Sequence, residues 1–311
     1  MKNLMENEKQ IRLGLIGFGV VNQAIYQNIK NISKPSTIIY SLENRYSQNF
    51  AETLKTDINI ITINTNYISD KLNTELLLSK KNNFKKFGSK KSLKGLMKLI
   101  QSYYINDYSG TLIIKSTCNP KLLNKYMLKK FQINIFEDMN ILFWPEFLNA
   151  VTAKEDFETE TPLIGGDTKL ILETIPKLNK IFNKIFNISC INTGTAQEVM
   201  EYKYFRNMLL MNHFAFINTI PHLFDTDIRK FDKYQNSYKY NFNNFKIASD
   251  GHIGVGGACL PKDLDNYIQS IYNIDNKKYI ETTGNSTNKK EASLKHLENL
   301  STYNKNLKMD N

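Results

Sequence analysis

Ile11–Lys30 reads IRLGLIGFGVVNQAIYQNIK. An apolar strand pattern gives way to glycines at 17 and 19, after which Val21, Ala24, Ile25 and Ile29 recur at helical spacing. The stretch predicts a strand, a tight turn and a helix. In a dinucleotide-binding turn, such glycines let the backbone approach a pyrophosphate at the helix N-terminus. Here Asn22 stands at the third glycine position, so by itself the stretch leaves a purely structural turn and a cofactor site equally open.

Outward from this turn, STIIYSL, INIITIN and GTLIIKST are short, β-branched and nearly continuous in apolar character, as expected of parallel strands buried on both faces. Helical patterns such as SLKGLMKLIQSYY lie between them. The first half therefore reads as an α/β Rossmann-type domain with a parallel sheet. A strand-like INIFEDMNILFWPEF, then TPLIGGD followed by a helical TKLILETIPKLNKIF, carry this organisation to about residue 191. From 192 the texture changes, and a long helical apolar pattern, GTAQEVMEYKYFRNMLLMNHFAFINTIPHLF, predicts a spine helix opening a helical domain over 192–280. Residues 281–311 are polar and read as a loose tail with one short helix.

Composition narrows the class. The chain has 311 residues, of which 41% are hydrophobic and 23% charged, the balance of an ordinary globular protein. No apolar run approaches the roughly 20 residues of a membrane span, and MKNLMENEKQ has no signal-peptide character, so a cytoplasmic protein is expected. The three cysteines, Cys118, Cys190 and Cys259, are too few for a disulfide framework. The net charge of +11 is densest in SKKNNFKKFGSKKSLKGLMK, where Phe84 and Phe87 interleave the lysines. No nucleic-acid signature accompanies it, and a solvated loop leading into a helix accounts for it. Neither nucleic acid nor membrane is expected as a partner.

Three groups of residues can carry chemistry. At the end of the second strand an acidic residue would bind the adenosine ribose. With Ser41 at the tip, Arg45 can accept a 2′-phosphate and NADP is open; with Glu43 there, NAD is favoured. On the spine helix, Lys203 and Asn207 are four residues apart and share a face, from which they can donate to charge developing on a substrate oxygen. In GHIGVGGACLPKDLDNY, the glycines at 254, 256 and 257 permit close approach, and Pro261 suits the first turn of a helix. Cys259 then stands at a helix N-terminus, where a thiolate is stabilised, with Asp263 one turn on. Cys118 and Cys190 read as small buried apolar residues.

Taken in order, these segments resemble the UDP-glucose and GDP-mannose dehydrogenase family. GFGVVN looks like its dinucleotide turn, INTN like its third-strand segment, IIKSTCNP like its STVPPG segment and WPEFLNAVTAKEDF like its NPEFLREGTAVEDF. EYKYFRNMLLMNHFAFIN is similar to its Lys/Asn helix, and GVGGACLPKD to its GYGGSCFPKD active-site turn. The resemblance implies an NAD-dependent, four-electron oxidation of a nucleotide-sugar C6 alcohol to a carboxylate, UDP-glucose to UDP-glucuronate, in a homodimer. It implies Cys259 as nucleophile, Lys203 and Asn207 as oxyanion donors, and Asp263, Thr117 and Glu146 as the groups that place or activate water. Gly17, Phe18, Gly19, Val20, Val21, Thr65, Thr117, Glu146 and Lys262 would meet the cofactor. Glu146, Phe147, Leu148 and Gly256, with Lys203 and Asn207, would meet the substrate, and no metal is implied. Family members continue past the spine with a further α/β domain that closes over the nucleotide, and the polar stretch after residue 280 leads to the expectation that this chain lacks it. Two alternatives stand beside this one. They are a 3-hydroxyacid or 6-phosphogluconate type dehydrogenase, which needs no thiol, and a non-catalytic nucleotide-binding homologue.

Overall fold

Strand β1 (Arg12–Ile16) runs into a turn at Gly17 and continues as α1 (Val20–Ile29), as the opening stretch predicts. The computed structural model describes residues 10–29, 36–41, 49–63, 65, 89–149, 151–182, 191–219, 259–275 and 293–302. After α1 come β2 (Ser36–Tyr40), α2 (Phe50–Thr53), β3 (Ile58–Ile61), α3 (Ser89–Ile105), β4 (Thr111–Ile114) and α4 (Pro120–Phe131). Then follow β5 (Ile141–Phe143), α5 (Ala153–Thr159), β6 (Leu163–Gly166), α6 (Thr168–Phe182), β7 (Asn192–Gly194), α7 (Ala196–Thr219) and α8 (Cys259–Asp275).

The seven strands form one sheet in the order β2-β1-β3-β4-β5-β6-β7. Neighbours are parallel except β5 and β6, which run antiparallel through Leu142–Gly166 and Phe143–Gly165. The sheet is therefore mostly parallel rather than wholly so, which the apolar pattern of LIGG does not reveal because it is the same in either direction. β7 pairs with β6, so the sheet extends past residue 191.

Alternation along the strands divides the core in two. Leu13, Leu15, Ile58, Ile60, Ile113 and Leu142 pack on one face with α1, α5 and α6. Ile16, Ile61, Leu112, Ile114, Ile141 and Phe143 face α3, α4 and the start of α7. Each such fully buried side chain contributes about 1.5–3 kcal/mol relative to exposure.

Local chemistry sets the helix ends. Asn119 caps α4 by accepting from the Leu122 amide, Pro120 fills the first turn, and Gln132 closes it in the left-handed conformation. At α7, Thr195 and Glu198 form a reciprocal capping box, Thr195 N to Glu198 Oε2 at 2.8 Å and Glu198 N to Thr195 Oγ1 at 3.2 Å.

The described residues fall into two compact units, the first within 1–69 and 90–203 and the second within 70–89 and 204–311. The division thus falls inside α7. The second unit has its own small core of Met211, Leu264, Ile268 and Leu300, with residues 293–302 helical. Tyr204 and Tyr267 stack there with ring centroids 5.1 Å apart.

Candidate active site

In the order β2-β1-β3, the strands stay parallel but their succession across the sheet reverses beside β1, and ligands of open α/β sheets bind at the C-terminal strand ends at such a point. The Gly17 turn lies there. Gly17 has φ +78° and its amide donates to Tyr40 O at 2.8 Å. A Cβ at Gly17 would come within 2.9 Å of Thr62 O, so both conformation and space require glycine. At Gly19 a Cβ would meet nothing within 4 Å, and Val20 is half exposed, so the first turn of α1 opens outward with its amides free of intrahelical acceptors. This turn fits a pyrophosphate.

Asn22, which stands at the third glycine position, is fully buried and closes the turn from within. Its amide donates to Gly17 O at 2.6 Å and lies 3.2 Å from Ile16 O. Thr62 Oγ1 adds a bond to Gly17 O at 3.1 Å. Ser41 directly follows the last residue of β2 and is buried. Glu43, Arg45 and Gly256 lie outside the described residues.

The ends of β3 and β4 meet through side chains. Thr65 Oγ1 donates to Thr117 O at 2.9 Å, and Ser116 Oγ to Ile63 O at 2.7 Å. Both threonines are buried, as is Cys118. Beyond β5, Glu146 accepts from Lys203 Nζ at 3.1 Å on one carboxylate oxygen and from the Leu148 amide at 2.8 Å on the other. Burial alone raises this carboxyl, but the Lys203 charge, the Leu148 amide and the more distant Lys115 charge together carry it below the ordinary range. Phe147 stacks edge-on against Tyr202 and faces Lys203 Nζ at 5.3 Å. Leu148 is half buried against the α1 side of the core.

Sequence reading missed two charges in the same unit. Lys115, at the end of β4, is fully buried, with Nζ 3.8 Å above the Trp144 ring and 3.5 Å from Glu160 Oε1. Trp144 Nε1 donates to that same Glu160 oxygen at 3.2 Å. Burial lowers the Lys115 ammonium more than its anions restore it, and burial likewise raises Glu160. The signal for Lys115 was a charge closing an apolar run, IIK; nothing local pointed to a partner 45 residues away.

In the second unit, α8 begins at Cys259, with Pro261 in its first turn as predicted. The Cys259 side chain lies outside what is described. Asn207 and Asp263 are both buried, and Asn207 Nδ2 donates to Asp263 Oδ2 at 2.6 Å. Lys262 Nζ is 3.3 Å from Asp263 Oδ1 without hydrogen-bond geometry, so that oxygen has a nearby charge but no hydrogen bond among the described residues. Lys203 and Asn207 follow each other by one turn on α7, both buried. No cluster of metal-ligating side chains occurs among the described residues, and no described helix is long and apolar enough to cross a membrane.

No protein-family model matches the sequence. The UDP-glucose 6-dehydrogenase of Campylobacter jejuni is 31% identical over 180 residues, a match covering 53% of this chain and 40% of that protein's length. Among solved structures, the UDP-glucose dehydrogenase of Pyrobaculum islandicum superposes with a TM-score of 0.65 at 16% identity, over 97% of this chain and 70% of that one. The GDP-mannose dehydrogenase of Pseudomonas aeruginosa does so with a TM-score of 0.52 at 16% identity, over 96% and 69%. The solved structures show the shared fold, and the curated relative a shared stretch of sequence that spans less than half of that relative's length.

Proposed function

We propose that this chain carries the reaction centre of an NAD(P)-dependent nucleotide-sugar dehydrogenase that oxidises a primary alcohol to a carboxylate in two hydride transfers. The observation that carries the reading is the pair Lys203 and Asn207, buried one turn apart on α7, each bonded to a carboxylate. Buried donors of this kind are preorganised for charge that develops on a substrate oxygen.

The dinucleotide would lie on Gly17–Val21, with Thr65, Thr117, Glu146 and Lys262 as further contacts; when bound it accepts the hydride. The chain's own residues do the rest. As the alcohol loses its proton and a hydride, Lys203 and Asn207 stabilise the alkoxide that precedes the aldehyde. Cys259 adds its sulfur to the aldehyde carbon and the oxygen takes a proton, giving a thiohemiacetal that prevents escape. Loss of that proton and of a second hydride, to a fresh oxidised dinucleotide exchanged for the first, leaves a thioester. Water then adds, the carbon–sulfur bond breaks, and carboxylate and thiol are released. Asp263, Glu146 and Thr117 would place or activate this water, and Phe147, Leu148 and Gly256 are the residues that would meet the sugar of the substrate.

Ser41 immediately after β2 supports a ribose contact by a hydroxyl rather than a carboxylate, which leaves NADP open beside NAD. Tyr202, Phe205, Leu209 and Phe216 are exposed at a spacing that makes one apolar stripe along α7, and this supports a homodimer. Sedimentation at micromolar concentration checks it, and a monomer would remove that element.

The decisive experiment supplies UDP-glucose and other nucleotide sugars with NAD or NADP and counts reduced cofactor per sugar, with Cys259→Ser as comparison. Two per sugar, with the variant stalled after the first transfer, is expected. One per sugar with the variant unaffected would favour the simpler hydroxyacid-type oxidation, and none from any sugar would remove the catalytic reading.

A further inference from the structure

The Lys115–Glu160 pair is a poor stabiliser. Moving both charges out of water costs several kcal/mol each, and the return depends on good geometry with every oxygen satisfied. Here the contact is 3.5 Å, at the limit of a hydrogen bond, and Glu160 Oε2 has no partner among the described residues. An apolar side chain at 115 would fill the space under Trp144 without that cost. The position of the pair points to a different role.

Trp144 is held on both sides, its ring under the Lys115 ammonium and its Nε1 on Glu160, and its amide is tied to Ile114 O at 2.9 Å. Two residues later the chain presents Glu146, which must aim one oxygen at Lys203 and the other at its own Leu148 amide. The charged groups that lower Glu146 among the described residues are Lys203 and Lys115, and Glu146 in turn raises Glu160 directly by like-charge repulsion. Along the first unit the buried charges thus alternate as Glu160, Lys115, Glu146, Lys203.

We propose that Lys115 is a positioning residue for Glu146: clamped between the Trp144 ring and Glu160, it holds in place the Trp144–Leu148 segment from which Glu146 reaches Lys203. The role rests on Glu146 belonging to the reaction centre proposed above. A change at Lys115 therefore acts on the reaction without Lys115 touching substrate or cofactor.

Lys115→Met alone strands Glu160 as a buried anion and is expected to unfold readily, so the informative variant is Lys115→Met/Glu160→Gln, which removes both charges. The primary readout is the carboxyl titration of Glu146 by ¹³C NMR, assigned with Glu146→Gln, because it needs no turnover. In the folded double variant Glu146 is expected to titrate at higher pH than in the wild type. The acid limb of kcat/KM should move the same way, with a loss of up to about a hundredfold as the carboxylate loses its placement. An unmoved Glu146 titration in the folded double variant overturns the proposal. A moved titration in a protein that oxidises no nucleotide sugar supports the Lys115–Glu146 coupling while removing the proposed reaction. Turnover with an unmoved titration does the reverse.

Discussion

Two carboxylates, Glu146 largely buried and Asp263 fully so, sit against side chains of the same helix, and they are satisfied by different chemistry. In the first unit Glu146 meets the Lys203 cation, with a backbone amide on its second oxygen. In the second, Asp263 meets the neutral amide of Asn207, and its other oxygen has only the nearby charge of Lys262. One turn of α7 separates the two donors. The difference teaches that a single helix can hold one carboxylate by charge and another by hydrogen bonding, so equal truncations on α7 should have unequal costs.

The largest effect should come from Lys203→Met, which leaves the largely buried Glu146 without its ion-pair partner. A loss of about 3–5 kcal/mol is expected in urea unfolding, largely recovered when Glu146→Gln is added. The same experiment run against pH sharpens the contrast. Because the folded Glu146 carboxyl lies below its ordinary value, the ion pair contributes its full stability above that ordinary value and loses it as pH falls through the folded one. The stability gap between wild type and the Lys203→Met/Glu146→Gln variant should therefore narrow in acid; a gap independent of pH would break the charge-based account of Glu146.

A smaller effect is expected at the second carboxylate. Asn207→Ala removes a hydrogen bond to a buried acceptor, at a cost of about 1–3 kcal/mol by the same urea measurement. A loss as large as that of Lys203→Met would show that the two regions are not held differently after all.

Much of the candidate site was legible because the residues concerned were odd for their surroundings. Gly17 interrupts a strand-to-helix passage, Lys203 and Asn207 interrupt an apolar helix, and Pro261 marks the first turn of α8. Asn22 was legible only as a departure from a glycine pattern. Its use depends on the carbonyls of Ile16 and Gly17 turning inward toward it, which sequence does not display. Lys115 and Glu160 escaped notice for a similar reason: a lone lysine at a strand end and a glutamate in the acidic run KEDFETE are each ordinary until the fold packs them over one tryptophan. The Thr195–Glu198 capping box, by contrast, is a local pattern that was present to be read.

By itself the sequence determined the alternating α/β order, the glycine turn after β1, the helix start at Cys259 and the face shared by Lys203 and Asn207, since each depends on residues within a few positions of one another. Only the tertiary structure decided the antiparallel direction of β6, the buried partners of Glu146 and Asp263, and the stacking of Lys115 on Trp144. Strand direction and ion pairing join residues far apart in the chain. Their energies come from desolvation and packing, which take their values only when the whole sheet and its helices have closed around them.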